Sequence, residues 1–156
     1  MLYRVLTFLF LLVSSILFGQ QADDDVKVTI EKFFEGFHKG DTVLMKQTLH
    51  SSVLLQTAFK DKYGNDQLRK EDVSTLLNAI ANRPSDQKWD ERLLSFNIQI
   101  DGNMANAWTP YEFWFNGEFS HCGVNSFQLF YDGASWKIIY LIDTRRRSGC
   151  KDSNEN

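Results

Sequence analysis

Three turn dipeptides, Asp101-Gly102, Asn116-Gly117 and Asp132-Gly133, recur at near-even spacing through the carboxyl-terminal part of the chain. Asp-Gly and Asn-Gly are the pairs favoured in two-residue hairpin turns, whose twist matches that of the strands they join. From Arg92 onward the apolar period is two, with Leu94, Phe96, Ile98 and Ile100 alternating with Leu93, Ser95, Asn97 and Gln99. Turns and period together predict four antiparallel strands in a meander.

The amino-terminal half has a different period. Val26, Ile30, Phe33, Phe34 and Phe37 form the stripe of a helix buried on one face, with Asp23, Asp24 and Asp25 placed to cap its start. His38 and Lys39 suit its negative carboxyl end, Gly40 can stop it, and Asp41 can cap a second helix through about Leu49. Val53 to Phe59 reads as extended, turns through Tyr63-Gly64-Asn65-Asp66 and returns briefly at Gln67 to Arg69. Val73, Leu76, Leu77 and Ile80 then mark a third helix between Asp72 and Pro84. Helices first and a strand meander afterwards predict an α+β domain.

The first residues, MLYRVLTFLFLLVSSILFGQQ, carry one positive charge at Arg4, an apolar run from Val5 to Phe18 and small Gly19 before polar sequence. That is the layout of a cleavable secretory signal over residues 1–19, and the run is shorter than the roughly 20 residues that span a bilayer. With Cys122 and Cys150 as the only cysteines, no lipid-anchored cysteine stands at the cleavage point, so the expected location is the periplasm or the exterior. Of 156 residues, 23–150 read as one domain and 151–156, KDSNEN, as a disordered tail. Loss of Arg4 with the signal takes the formal charge from −3 to −4, and only Arg145, Arg146 and Arg147 form a basic run, which argues against nucleic acid as a partner. No membrane association is expected after cleavage.

The segment WTPYEFWFNGEFSHCGVNSFQLFYDGASWKIIYLIDTRRRSGC, from Trp108 to Cys150, resembles the carboxyl half of bacterial proteins of the nuclear transport factor 2-like superfamily, nearest the SnoaL-like or lumazine-binding-like group. FFEGFHKGD at 33–41 and VLLQT at 53–57 extend the resemblance over nearly the whole mature chain. It implies a cystatin-like cone: three amino-terminal helices packed in a strongly curved antiparallel sheet, with a cavity between them. Members of that superfamily include dehydratases, isomerases, cyclases and hydrolases alongside plain binding domains, so fold does not settle function.

If every turn holds two residues, Phe115 sits beside Glu118, Glu112 faces His121, Tyr111 faces Cys122, and Asp143 lies opposite Cys122. One face then carries Tyr111, Cys122 and Asp143 with Leu94, Phe96, Ile98, Val124, Ile139 and Leu141. The other carries Trp108, Glu112, Trp114, His121, Asn125, Phe127, Trp136 and Tyr140. Phe127, Trp136 and Ile138 also read as core, and a bulge near Pro110 or Gly123 would reconcile the faces and swing His121 into the cavity.

Asp143, after the apolar run IIYLI, is a candidate general base or a partner of Arg145 or Arg146. His121, across from Glu112, is the second acid-base candidate. Tyr111, Cys122, Phe37, Trp108, Arg145 and Arg146 are candidate ligand contacts, the arginines for an anionic group. Cys122 and Cys150 form a disulfide only if the chain reverses through Ser148 and Gly149, since Cys150 otherwise lies about 23 Å along an extended strand. His38, His50 and His121 are scattered and no Cys or His pair has ligand spacing, so neither metal nor cofactor is expected.

Three function classes stay open: an exported domain binding a small molecule, aromatic or anionic; a lyase or isomerase using Asp143 or His121; and a homodimeric assembly module using the aromatic outer face. The leader is the part tested most directly. Expressed with residues 1–19 in a bacterial host, the chain is expected in the periplasm or medium with Gln20 as its first residue, read by amino-terminal sequencing. A product retaining Met1 would exclude cleavage.

Overall fold

The computed structural model describes residues 2–150, with side chains from Gln21 onward. The tail expected to be disordered, 151–156, and the side chains of the expected signal, 1–19, lie outside the described residues. Three helices, α1 (Leu2–Lys39), α2 (Thr42–Thr48) and α3 (Val73–Ala81), accompany seven strands. These are β1 (Leu49–Lys60), β2 (Asp66–Glu71), β3 (Trp89–Leu93), β4 (Asn97–Asp101), β5 (Met104–Phe115), β6 (Glu118–Tyr131) and β7 (Trp136–Arg145).

Helix α1 runs straight through Asp23, Asp24 and Asp25, so these do not cap its start; Asp25 instead accepts a 3.0 Å bond from Gln21 one turn earlier. The apolar stripe behaves as its spacing requires, with Val26, Ile30, Phe33, Phe34 and Phe37 all buried. Gly40, at φ +76°, ends the helix. The guanidinium of Arg83 then donates to the carbonyls of Phe37 (3.2 Å) and His38 (2.7 Å), satisfying groups a helix end leaves unpaired. Asp41 caps α2 by accepting from Leu44 N at 2.9 Å, and Asp72 caps α3 by accepting from Ser74 N at 2.7 Å.

The strands form one sheet in the order β2-β1-β7-β6-β5-β3, with β4 also pairing β5. It is mixed rather than purely antiparallel, because β1 runs parallel to β7. A parallel pair needs a long crossover, which the chain between β1 and β7 supplies. The single strand expected from Arg92 to Ile100 is two, β3 and β4, pairing with β5 on either side of Pro110. Proline offers no N–H to a ladder, so the neighbouring strand breaks there and Leu94 N bonds the Pro110 carbonyl at 2.9 Å.

Two of the three hairpins have a two-residue turn: Asn116-Gly117 as expected, with Phe115 paired to Glu118, and Gly102-Asn103, one residue beyond the expected dipeptide, with Asp101 paired to Met104. The third is longer. Tyr131 pairs with Trp136, and the Asp132 carboxylate accepts from Ala134 N (2.9 Å) and Ser135 N (2.8 Å) to stabilise a four-residue loop. Bulges between Phe113 and Trp114 and between Gln128 and Leu129 shift the pairing further.

The curved sheet packs its inner face on α1, where Phe34 meets Phe127 edge-on at 6.2 Å and Ala105, Ala107, Leu129 and Ile138 are fully enclosed. On the outer face the chain after β7 doubles back. Cys122 exchanges backbone bonds with Arg146, both 3.0 Å, and Gly149 at φ +66° makes the reversal that joins Cys122 to Cys150 in a disulfide.

Gly123 marks the tightest approach: a Cβ there would lie 1.8 Å from the Thr144 carbonyl oxygen and 2.7 Å from the Tyr111 ring. Gly123→Ala must therefore push β6 from β7, and is expected to cost about 3 kcal/mol or more. Gly117→Ala, at a turn with open space, is expected to cost about 1 kcal/mol. Urea denaturation of the two variants checks the contrast.

Candidate ligand pocket

The register places four polar residues in one row across the inner face. Thr57 of β1 pairs with Asp143 of β7, Asp143 with Asn125 of β6, and Asn125 with Thr109 of β5. All four are buried among apolar residues. Such groups persist in a core only when hydrogen bonds replace the water they lose.

Asp143 is the best satisfied of them. Thr57 Oγ1 donates to one carboxylate oxygen at 2.6 Å, while Arg145 Nε (2.7 Å) and the Tyr111 hydroxyl (3.2 Å) approach the other. The Tyr111 hydroxyl also lies 3.0 Å from the Thr144 carbonyl. Burial first, then the charge of Asp143, holds Tyr111 well above the usual phenol range, so it acts as a neutral donor. Burial works against the charge on Arg145, but Asp143 outweighs it and keeps the guanidinium above its ordinary value.

Glu91 of β3 reaches the same row from the other side. Its Oε1 accepts from Asn125 Nδ2 at 2.7 Å, and among the described residues Oε2 has no hydrogen-bond partner. Burial pushes its carboxyl up to about 7; the bond from Asn125 opposes the rise, Asp143 adds to it and Arg145 opposes it. Its backbone N–H donates to His38 Nε2 at 2.9 Å, which requires the neutral imidazole with the proton on Nδ1. Burial lowers the His38 pKa, in agreement with that tautomer. Among the described residues Thr109 Oγ1 is enclosed and has no hydrogen-bond partner.

Thr57, Glu91, Asn125, Asp143 and Arg145 open on a cavity of about 70 Å³ whose other walls are Phe33, Phe34 and Phe37 of α1, Leu76 of α3, Leu55 and Gln56 of β1, Glu71 of β2, and Leu141 of β7. A shallow groove of about 400 Å³ lies beyond, bounded by Glu31, Glu35, His38, Lys39, Leu93 and Phe96. Phe34 and Glu91 line both spaces.

Asp143, Arg145 and Phe37 line the cavity, and Tyr111 stands behind Asp143. His121 is on the inner face, where the bulge opposite Phe113 and Trp114 turns it: it pairs with Phe113 and stacks on that ring at 4.9 Å. Burial, then Arg145, lowers its pKa. It does not face Glu112, which lies opposite Cys122 on the outer face and accepts from Trp114 Nε1 at 3.0 Å.

Three expected contacts lie away from the cavity. Trp108 is 51% exposed, Cys122 is in the outer disulfide, and Arg146 bonds back to the Gly149 carbonyl. Tyr111 pairs with Gly123 rather than Cys122, and Asp143 with Asn125, because the bulges and the longer loop move each partner along its strand. Glu91, Asn125, Thr57 and Thr109 were not recognised from sequence. Glu91 falls on the same strand face as Trp89 and Leu93, so extending the strand one residue upstream would have found it.

A curved sheet enclosing helices and a buried polar row defines a cystatin-like α+β cone. No family model and no curated protein matches the chain. Its solved-structure neighbours include an NTF2-like protein with a cystatin-like fold from Novosphingobium aromaticivorans, at 12% identity over 89% of this chain and 90% of that one, TM-score 0.66. An NTF2-like protein from Cytophaga hutchinsonii aligns at 13% identity over 79% and 97%, TM-score 0.63. A protein proposed to be a dehydratase of the NTF2-like family from Streptomyces avermitilis aligns at 10% over 83% and 99%, TM-score 0.63. The chain has the NTF2-like fold.

The Glu91 carboxyl has a stability signature. Its native value of about 7 exceeds the ordinary 4.5, so between them the folded state holds a proton that the unfolded state releases. Stability at this site is present below pH 4.5 and lost as pH rises through 7. Glu91→Gln removes that dependence. Relative to wild type the variant is expected to gain at most about 3 kcal/mol between pH 5 and 8 in urea denaturation. An unchanged difference would mean that Glu91 is as well solvated folded as unfolded.

Proposed function

We propose that this chain is an exported NTF2-like domain, periplasmic or secreted, that binds a small organic anion in the cone. The observation that carries this reading is the state of Arg145. Its Nε is committed to Asp143, while among the described residues its two terminal nitrogens donate to no protein group, and the side chain is 45% exposed at the cavity. A guanidinium with its terminal pair free presents the fork that carboxylates accept in bidentate fashion.

The walls support an apolar body for that ligand. Phe33, Phe34, Phe37, Leu55, Leu76 and Leu141 offer aromatic edges and branched aliphatic groups, the surface that small-molecule sites use for affinity. A disulfide between Cys122 and Cys150 supports the exported location, since such bonds persist in oxidising compartments.

A second reading, acid-base chemistry of the lyase or isomerase kind, has one observation in its favour. Glu91, poised near pH 7 beside the cavity, has the proton affinity a general base or acid needs. Asp143 suits that role less because three donors already surround it, and His121 because its ring is stacked on Phe113. Under this reading Glu91→Gln abolishes turnover and spares binding.

Benzoate is a suitable probe, read through the fluorescence of Trp89, whose ring lies 6.0 Å from that of Phe37. Leu76→Trp, which fills the cavity, is expected to eliminate the benzoate response with an unchanged circular dichroism spectrum. Arg145→Lys, which loses the fork, is expected to weaken it about tenfold. Benzoate binding as tight in Leu76→Trp as in wild type would exclude the interior site.

A further inference from the structure

Charge in the cavity limits how an anion can enter. Arg145 is the single cation on its wall, and Asp143, at 2.7 Å, already offsets it. Glu71 and Glu91 add two more carboxyl groups to the lining. If Glu91 were ionised, an incoming carboxylate would meet three carboxylates and one guanidinium at close range. Like charges so close repel one another.

Glu91 also has the geometry to relieve this. One oxygen accepts from Asn125 at 2.7 Å, and the other is unpaired among the described residues. A carboxylic acid with one oxygen fixed has its O–H left to give to a ligand, where a carboxylate can only accept. The Thr109 hydroxyl, on the residue paired in register with Asn125 and without a partner among the described residues, leaves this end of the row short of a hydrogen-bonding group.

We propose that the cavity takes up its anionic ligand together with one proton from solvent, which Glu91 holds on its free oxygen and donates as a hydrogen bond to the ligand carboxylate, while Arg145 grips that carboxylate from the other side. This deepens the organic-anion reading and rests on it. The ligand class is a small monocarboxylic acid with an apolar body; a dicarboxylate would bring a second uncompensated charge. No covalent bond changes, and the proton returns to solvent on release.

The groups facing Glu91 agree with this assignment. From α1 come Glu31, Glu35, His38 and Lys39, with Lys39 occupied by Glu35 at 2.6 Å and His38 neutral through its bond from the Glu91 backbone. From β2 comes Glu71, from β5 the neutral Tyr111, and from β7 Asp143 and Arg145. His121 of β6 is stacked on Phe113. On the strand itself Asp90 and Arg92 pair with each other at 3.0 Å. Among these, Glu91 is the acid whose native value, about 7, lets it gain a proton when a negative charge arrives at neutral pH.

Calorimetric titration of benzoate into the intact chain, in two buffers of different ionisation enthalpy at pH 8, counts the protons taken up. Wild type is expected to gain close to one proton per benzoate, and its affinity to fall about tenfold per pH unit above pH 7. Glu91→Gln, whose amide can still donate, is expected to bind with no proton uptake and with affinity flat from pH 6 to 9. Carbon NMR of the wild-type carboxyl groups, which needs no variant, is expected to show the Glu91 resonance titrating at higher pH when benzoate is bound. Benzoate binding without proton uptake in wild type, or with equal uptake in Glu91→Gln, would overturn the proton-coupled mechanism and leave the anion site standing. Failure of wild type to bind benzoate and phenylacetate at pH 6 would remove both.

Discussion

The carboxylate of Asp143 is the interaction on which the interior depends. A charge in a protein core is tolerated only when donors replace its water, and here the donors come from three strands: Thr57 on β1, Tyr111 on β5 and Arg145 on β7 itself. The Thr57 bond crosses the parallel junction between β1 and β7, the one place where the meander is joined by a strand from the amino-terminal half. The Arg145 bond uses Nε and leaves the terminal nitrogens without a protein acceptor among the described residues, and the charge of Asp143 helps hold the proton on Glu91. Structural satisfaction of one acid therefore sets the chemistry of the other.

The two sheet faces divide the work. Within the inner face, aromatic rings of α1 and the apolar residues of β6 and β7 exclude water from the polar row, which strengthens each electrostatic interaction in it. The outer face holds the disulfide, Glu112 with its Trp114 partner, and Arg92 stacked 4.2 Å over Trp114. Gly123 links the two, since only a residue without a side chain lets the Thr144 carbonyl and the Tyr111 ring close on β6. The disulfide anchors the chain just beyond Arg145, so the outer covalent tie and the inner ion pair constrain the same end of β7.

Much of the architecture was legible in the chain because it rests on local chemistry. The stripe from Val26 to Phe37, the caps at Asp41 and Asp72 and the turns at Gly102 and at Asn116-Gly117 depend on residues within a few positions of one another. Side-chain faces did not read as well. A sheet has period two, so one added residue moves every later side chain to the opposite face. The bulge facing Phe113 and Trp114 did this, bringing His121, Asn125, Phe127 and Trp136 inside and sending Cys122 out, and the bulge opposite Gln128 and Leu129 kept Asp143 inside. The loop at Asp132 adds two residues and changes no face.

Sequence alone determined the α+β order of elements, the helix faces, two of three hairpins, and Asp143, Arg145, Tyr111 and Phe37 as residues of interest, because each follows from periodicity, turn chemistry or the company of apolar neighbours. Only the tertiary structure decided that β1 joins β7 in parallel, that Asp143 is a satisfied ion rather than a free base, and that Glu91 carries the perturbed carboxyl. The physical reason is distance along the chain: Thr57 and Asp143, or Glu91 and Asn125, are separated by tens of residues, and their electrostatic environment exists only once the sheet has closed over the helix.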